Sequence, residues 1–330
     1  MGKLAIKERK IYFEYDQQFL QSGIEISPYK LPLKKGVFIC DDTIFEGVFG
    51  VFSDSLPDGW GRLLLDRYFL KQGIKYQDIN PLDRLGYIGK YGVGALSYKP
   101  SVSDLLFNKA EIVLDDLAKN SQKILREDEQ DNIESFLALG GSSAGTRPKI
   151  MVQINKHNDI ISGAQIYQAG FRHYMVKFAA ENDSKNIGKI EYIYSLMAKN
   201  AKLDMPDTKL LKGKYGHYFA IQRFDRIKDK RVHMHSVAGL VHSDFRMPSL
   251  DYDDLLSLTF HLTKELNELL KMYRLACFNL FAYNRDDHAK NFSFLLDNNH
   301  KWRLSPAYDL TFSYGPGGEH STTYLGETFV

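Results

Sequence analysis

Hydrophobic positions change spacing several times along the chain, and each change predicts an element. Residues 11–15 (IYFEY) and 36–40 (GVFIC) are rich in β-branched and aromatic side chains and predict strands. The stretch around Pro28 and Pro32 separates them. Over residues 53–73, Leu63, Leu64, Arg67, Tyr68 and Lys71 recur at helical spacing, which predicts an amphipathic helix capped by Ser55 or Asp58. The glycine-rich run 86–98 predicts close-packed strands or turns. Residues 101–137 are helical in pattern, and the charged segment 126–132 reads as a linker.

A second pattern begins near Leu137. GGSSAGTRPKIMVQIN predicts a glycine-rich turn entering a strand, and IISGAQIYQAG and HYMVKFAA predict two more strands. A helix follows over 189–203, with Ile190, Ile193, Tyr194, Met197 and Ala201 on its apolar face. TKLLKG and HYFAIQRFDR predict a further strand pair. From Leu250 onward the spacing turns helical, and in the second helix the apolar Leu266, Leu269, Leu270, Tyr273, Cys277 and Leu280 recur three and four apart. A β-rich part followed by a helical part predicts an α+β fold of two lobes.

Composition narrows the class. The 330 residues carry 43 Lys plus Arg against 41 Asp plus Glu, a net charge of +2 that argues against a dedicated nucleic-acid binder. Two isolated cysteines, Cys40 and Cys277, build neither a disulfide framework nor a structural zinc site and predict small buried thiols. No signal-peptide pattern and no run of 18 apolar residues occurs, so a soluble cytoplasmic protein is expected.

Four features carry candidate chemistry. In GGSSAGTRPK (140–149) small residues let backbone amides approach a polyphosphate, although the sequence is not a Walker A loop. Lys177 sits in an apolar strand, where its charge requires an anion, and Glu191 on the next helix is the natural partner. A strand lysine paired to a helix glutamate is how protein kinases hold the α- and β-phosphates. In RDDHAKN (285–291), Asp286 and Asn291 match the D-x-x-x-x-N of a kinase catalytic loop, one to orient the substrate hydroxyl and one to hold Mg²⁺, with Lys290 available to neutralise phosphoryl charge. Asp309 in SPAYDLTFS would be the second Mg²⁺ ligand. Taken one at a time, an ordinary turn, an exposed lysine or a polar loop explains each feature. Their order along the chain points to an ATP-dependent phosphotransferase.

The sequence resembles the HipA-type serine/threonine kinases, the toxin half of bacterial toxin–antitoxin pairs. FEGVFGVFSDSLPDGWGRLLLDRY and DRLGYIGKYGVGAL resemble the family's N-terminal region, and GGSSAGTRPK, YMVKF, AIQRFDR, DDHAKNFSFL and LSPAYDLTFS its kinase core. The resemblance implies a bilobal protein-kinase-like fold. Its expected divisions are an N-terminal subdomain (1–100), a helical connection (101–136), a nucleotide-binding lobe (137–232) and a helical lobe (233–330). It also implies ATP and Mg²⁺ as cofactors, Asp286 as catalytic base with Lys290 beside it, and Asn291 and Asp309 as metal ligands. Lys177 and Glu191 serve the phosphates, the backbone of Gln222, Arg223 and Phe224 forms the adenine hinge, and Ala144, Gly145, Thr146, Arg147, Pro148 and Lys149 form the loop over the nucleotide. His288 and Tyr308 join the nucleotide site. Ser142, with Ser143 as rival, matches the loop serine that family members phosphorylate on themselves to silence the kinase.

By the same resemblance the partner is a HipB-like helix-turn-helix antitoxin, through which DNA is met only indirectly. The target is a protein such as an aminoacyl-tRNA synthetase, and no membrane is involved. Only 21 residues follow Asp309 where the family continues with several more helices, so the C-terminus reads as a cut and the N-terminus as slightly short. An idle HipA-like scaffold and a small-molecule kinase are the alternative functions. His233, His235 and His242 form no recognisable zinc set and are expected to line the cleft near the peptide substrate. Trp60 and Trp302 are expected in cores.

Overall fold

The computed structural model describes residues 1–101, 112–126, 132–140 and 145–328. In chain order the elements begin with β1 (Gly2–Lys7), β2 (Lys10–Tyr15), α1 (Gln17–Leu20), β3 (Val37–Cys40), α2 (Gly50–Ser53), α3 (Gly59–Lys71), α4 (Pro81–Ile88), α5 (Leu114–Leu125) and α6 (Ile133–Ala138). There follow β4 (Lys149–Asn155), β5 (Ile160–Ser162), β6 (Phe171–Lys177), α7 (Ile187–Asn200), β7 (Thr208–Lys212), β8 (His217–Gln222), β9 (Arg226–Ile227) and β10 (Lys230–Arg231). The chain closes with β11 (His233–Ser236), α8 (Val237–Val241), α9 (Tyr252–Thr263), α10 (Leu266–Phe281), β12 (Ser293–Leu296) and β13 (Trp302–Leu304). The fold is α+β. It groups into two compact units, one of Met1–Asp54, Tyr194–Met205 and Val232–Val330, the other of Ser55–Ile193 and Pro206–Arg231.

The second unit is built on an antiparallel five-stranded sheet in the order β5-β4-β6-β8-β7. The two-residue period of a strand divides its faces. Ile150, Val152 and Ile154 of β4, Tyr174 and Val176 of β6 and Ala220 of β8 pack into one core with Trp60, Leu64 and Leu65 of α3 and Phe136 of α6. Register places Lys149 opposite Lys177 and Met151 opposite Met175 on the other face. Helix α4 starts by the rules of its sequence. Asn80 accepts hydrogen bonds from the amides of Leu82 and Asp83, the Asp83 carboxylate in turn accepts one from the Asn80 backbone amide, and Pro81 takes the first helical position. Residues 86–88 thus end a helix, and the glycine-rich run after it forms turns and no strand.

The first unit contains two three-stranded antiparallel sheets, β1-β2-β3 and β11-β12-β13, with helices α8, α9 and α10. Its main core joins Tyr252 and Leu255 of α9, Met272, Leu275 and Phe278 of α10, and Phe294, Trp302 and Leu304 of the second sheet. Both tryptophans are therefore core residues, as expected, and Cys40 is buried while Cys277 is half-buried.

Two expected helix faces are corrected. On α7 the buried positions are Gly188, Glu191, Ser195 and Ala198, whereas Ile193 and Met197 are exposed. On α10 the buried face is Glu268, Met272, Leu275, Ala276, Phe278 and Asn279, and Leu266 and Tyr273 are 63% and 56% exposed. In α10 the inward polar groups have partners. Glu268 accepts the Leu304 amide at 2.8 Å, and Asn279 donates to the Tyr252 hydroxyl at 2.8 Å. Among the described residues no helix is long and apolar enough to cross a membrane.

Candidate active site

In the second unit the expected lysine–glutamate pair forms. Strand β6 delivers Lys177 at its last position, and Nζ donates to Glu191 Oε1 on α7 at 3.2 Å with both side chains buried. Arg147 donates to the same oxygen at 2.9 Å and grips Asp183 with two further bonds of 2.8 and 3.0 Å. Lys149 lies buried at the start of β4. This corner of the unit gathers the cations Arg147, Lys149 and Lys177 with the carboxylates Glu191 and Asp183, and Asp58 stands at its edge. Forked and point cations held together in a largely buried place suit a polyphosphate.

Gly145 closes this corner. Its φ of +102° belongs to glycine, and a Cβ there would strike Lys149 Nζ. Its amide donates to the Asp58 carboxylate, and its carbonyl accepts the Trp60 amide at 3.0 Å. Gly59 fits because a Cβ would stand 2.7 Å from the Gly145 carbonyl oxygen. The D-G-W turn at the start of α3 thus clamps the loop. Asp58 does occupy the helix N-cap position, but its side chain makes no capping bond there. Only a signal spanning 87 residues could have revealed this role, and the sequence offers none. Thr146 and Pro148 lie in the same turn entering β4. Ala144, Ser142 and Ser143 fall outside the described residues.

At the far end of β8, Gln222, Arg223 and Phe224 leave the sheet together. The Gln222 amide donates to Asp207 and the Arg223 amide to His173, both at 2.8 Å. The backbone here is thereby fixed by the sheet, as a hinge would need.

In the first unit, α10 runs into the loop 284–291. Asp286 is 59% exposed, and His288 Nε2 stands 3.7 Å from its carboxylate. The Asn291 amide nitrogen donates to the Asp286 carbonyl at 2.6 Å, which leaves Asn291 Oδ1 as the group able to meet a cation. The Lys290 ammonium sits 4.3 Å over the Phe245 ring. Tyr308 donates to the Lys290 carbonyl at 2.6 Å and lies 2.5 Å from the Ser293 hydroxyl, tying the loop to the turn that carries Asp309. Burial drives the Tyr308 phenol far above its ordinary range, so it remains a donor. Asp309 itself has φ +54° and is exposed.

An amide oxygen and a carboxylate are a donor set that fits Mg²⁺, which binds few protein oxygens and takes the rest from phosphate and water. Among the described residues no group of three or more His, Cys, Asp or Glu side chains is placed to hold a metal by itself. His288 Nδ1 is buried with no hydrogen-bond partner.

Sequence reasoning missed Asp287. It is fully buried and accepts from the Tyr252 hydroxyl (2.9 Å), His320 Nδ1 (3.0 Å), the Ser321 amide (2.8 Å) and the Thr322 amide (3.2 Å). The histidines of 233–242 are also corrected. His233 and His235 are buried rather than lining a substrate surface. His235 stands between Asp54 at 2.6 Å and Ser27 at 3.0 Å, and His233 meets the Ile26 carbonyl at 2.8 Å. His242 accepts the Gly50 amide and faces Asp42 at 3.1 Å. These contacts fasten residues 26–54 to β11 and α8.

Among curated protein sequences none matches the chain significantly. Among solved structures, a chain of the Shewanella oneidensis MR-1 toxin–antitoxin complex of HipA, HipB and operator DNA superposes with a TM-score of 0.68 at 17% identity, covering 97% of this chain and 76% of that one. It shows the fold. The Helicobacter pylori proinflammatory kinase CtkA aligns over 43% of this chain and 52% of its own, at 18% identity and a TM-score of 0.35. The HipA N-terminal domain family matches residues 1–99 and the HipA-like C-terminal domain family residues 141–328, so the chain belongs to the HipA family.

Proposed function

We propose that this chain is a serine/threonine protein kinase that uses ATP and Mg²⁺ and acts as the toxin of a HipA/HipB-like pair. The observation that carries the reading is the buried Lys177–Glu191 pair at 3.2 Å. Two buried charges are costly, and replacing such a pair by apolar residues usually costs nothing in stability, so its presence calls for a functional reason. Holding a lysine ammonium ready for phosphate oxygens supplies one.

In this reading Lys177, Arg147 and Lys149 orient the triphosphate under the loop that Gly145 closes, and the hinge backbone of Gln222 to Phe224 meets the adenine. Asp286 accepts the proton of the substrate hydroxyl as that oxygen bonds to the γ-phosphorus and the bond to the ADP oxygen breaks. Its exposure leaves it reachable by a protein substrate. Asn291 Oδ1 and Asp309 hold Mg²⁺, which when bound neutralises charge developing on the phosphoryl group. Lys290 contributes positive charge beside them, and His288 and Tyr308 shape the nucleotide side of the loop. Catalysis then rests on positioning and charge stabilisation.

The HipB and operator DNA of the Shewanella complex support a HipB-like antitoxin as partner here. A translation protein such as an aminoacyl-tRNA synthetase is the proposed target, and Ser142 or Ser143 the site of self-modification.

The test is intact mass after incubation with Mg²⁺ and ATP, beside D286N and S142A variants. A gain of one phosphate that D286N abolishes supports the kinase, and its loss in S142A assigns the serine. ATP binding with no phosphate gained on the chain or on any added protein would instead support an idle scaffold.

A further inference from the structure

The chemistry proposed above leaves most of one concavity unused, and its lining lies wholly within the second unit. It measures about 310 Å³, near the lower end of the range for small-molecule sites. Met151 and His173 contribute to its floor from the sheet, and Arg223, Arg226 and Arg231 line it together.

The charge of this wall does not balance. The three guanidiniums surround one carboxylate, Asp225, which is 5% exposed. Arg223 and Arg226 each reach its Oδ2 at 2.7 Å, and that oxygen also accepts the Gly94 amide at 2.9 Å. Arg226 also donates to the Gly92 and Gly94 carbonyls at 2.6 and 2.9 Å, and Arg231 turns to backbone carbonyls alone, at 2.6 Å to Leu96 and 3.1 Å to Gly94. The buried cluster therefore holds three cations against one anion. At the rim Lys90 and Lys228 add two more, and Asp229 returns one negative charge. Burial, with Arg223 repulsion second, pulls Arg226 down to about 9, and burial also lowers Arg231. Burial is the leading cause of both shifts, and the Asp225 charge opposes it in each.

A basic wall of forked guanidiniums is suited to an oxyanion with several acceptor oxygens, and phosphate is the usual one. The Tyr167 ring, 5.9 Å from that of His173, and the exposed Ile166 side chain offer apolar surface beside it. We propose that this concavity binds a small organic phosphate, its phosphate against Arg223, Arg226 and Arg231 and its carbon skeleton against Tyr167 and Met151. Lys177 and Lys149 do not line it, whereas Arg223 belongs both to this wall and to the proposed hinge, so the site adjoins the proposed nucleotide site without using the lysines that serve the triphosphate.

The experiment is titration of the full chain with glycerol 2-phosphate in metal-free buffer, by calorimetry, on the wild type, K177M and the rim double variant K90M/K228M. Both rim lysines are exposed, so the double variant is expected to fold, which circular dichroism checks. The expected result is saturable binding that K177M retains and that added salt weakens. The rim variant should bind roughly three- to thirtyfold more weakly, the loss of two partly screened charges. Acetate at equal concentration should not compete. Equal affinity in the wild type and the rim variant would overturn the proposal, as would loss of binding in K177M alone or no binding at millimolar concentration.

Discussion

Replacing Asp287 by alanine removes a carboxylate that satisfies four donors at once. Tyr252, His320 and Thr322, which supply three of them, are themselves buried, so water cannot replace the lost acceptor freely. Burial first, and the Asp287 charge second, hold the Tyr252 phenol well above its ordinary value, so this hydroxyl cannot escape by ionising. Each buried donor left without an acceptor costs about 1–3 kcal/mol. If half of the four find no substitute, the loss is about 2–6 kcal/mol, reaching the upper tail for single substitutions. For a unit of this size that lowers the melting temperature by roughly 4–24 °C. Urea unfolding and a thermal melt read both numbers. Asp286→Asn, one residue away and exposed, should move stability by less than about 0.5 kcal/mol while ending phosphate transfer. A D287A variant within 1 kcal/mol of wild type would refute the argument that this carboxylate organises the loop.

Other substitutions test other parts of the framework. Glu191→Gln leaves Lys177 and Arg147 facing a neutral amide; it should cost about 3 kcal/mol in urea unfolding and weaken ATP binding in a fluorescence titration. Gly59→Ala puts a methyl 2.7 Å from the Gly145 carbonyl at a residue with φ +44°, and should destabilise by roughly 1–3 kcal/mol with no change at the neighbouring Trp60 core position. Burial lowers His233 to about 4, so below pH 6.5 the unfolded chain binds a proton that the folded chain refuses. Stability should therefore fall as pH drops from 6.5 towards 4 and level off below, by roughly 3 kcal/mol in all. The difference between wild type and H233Q in urea melts across that range isolates the effect, and a pH-independent difference would contradict it.

The strands and the chemistry-bearing motifs were legible because each is local. β4, β6 and β8 announce themselves through β-branched and aromatic alternation, and the spacing of Asp286 from Asn291 survives folding as a single loop. The faces of α7 and α10 were not legible, for one physical reason. Periodicity assigns the inward face to the most apolar residues, but these helices bury Glu191, Ser195, Glu268 and Asn279 because polar partners await some of them. A partner such as the Leu304 amide lies 36 residues away in sequence, where no periodic rule reaches.

The pair Asp286–Asp287 states the limit most sharply. The two residues are chemically identical and adjacent, so composition and charge treat them alike, and spacing to Asn291 singles out Asp286 while saying nothing of what Asp287 does. Folding separates them completely, leaving one 59% exposed and the other at 0%. What decides between them is the segment 320–322, whose two amides and one imidazole converge on Asp287 from more than 30 positions downstream. That convergence fixes the backbone of the loop, and the Thr322 hydroxyl donating to the Asp287 carbonyl fixes it again. An exposed carboxylate can serve as a positioned base only if the peptide beneath it does not move. In the proposed reading the buried aspartate therefore supplies what the exposed one needs, and the loop uses its two carboxylates for different reasons.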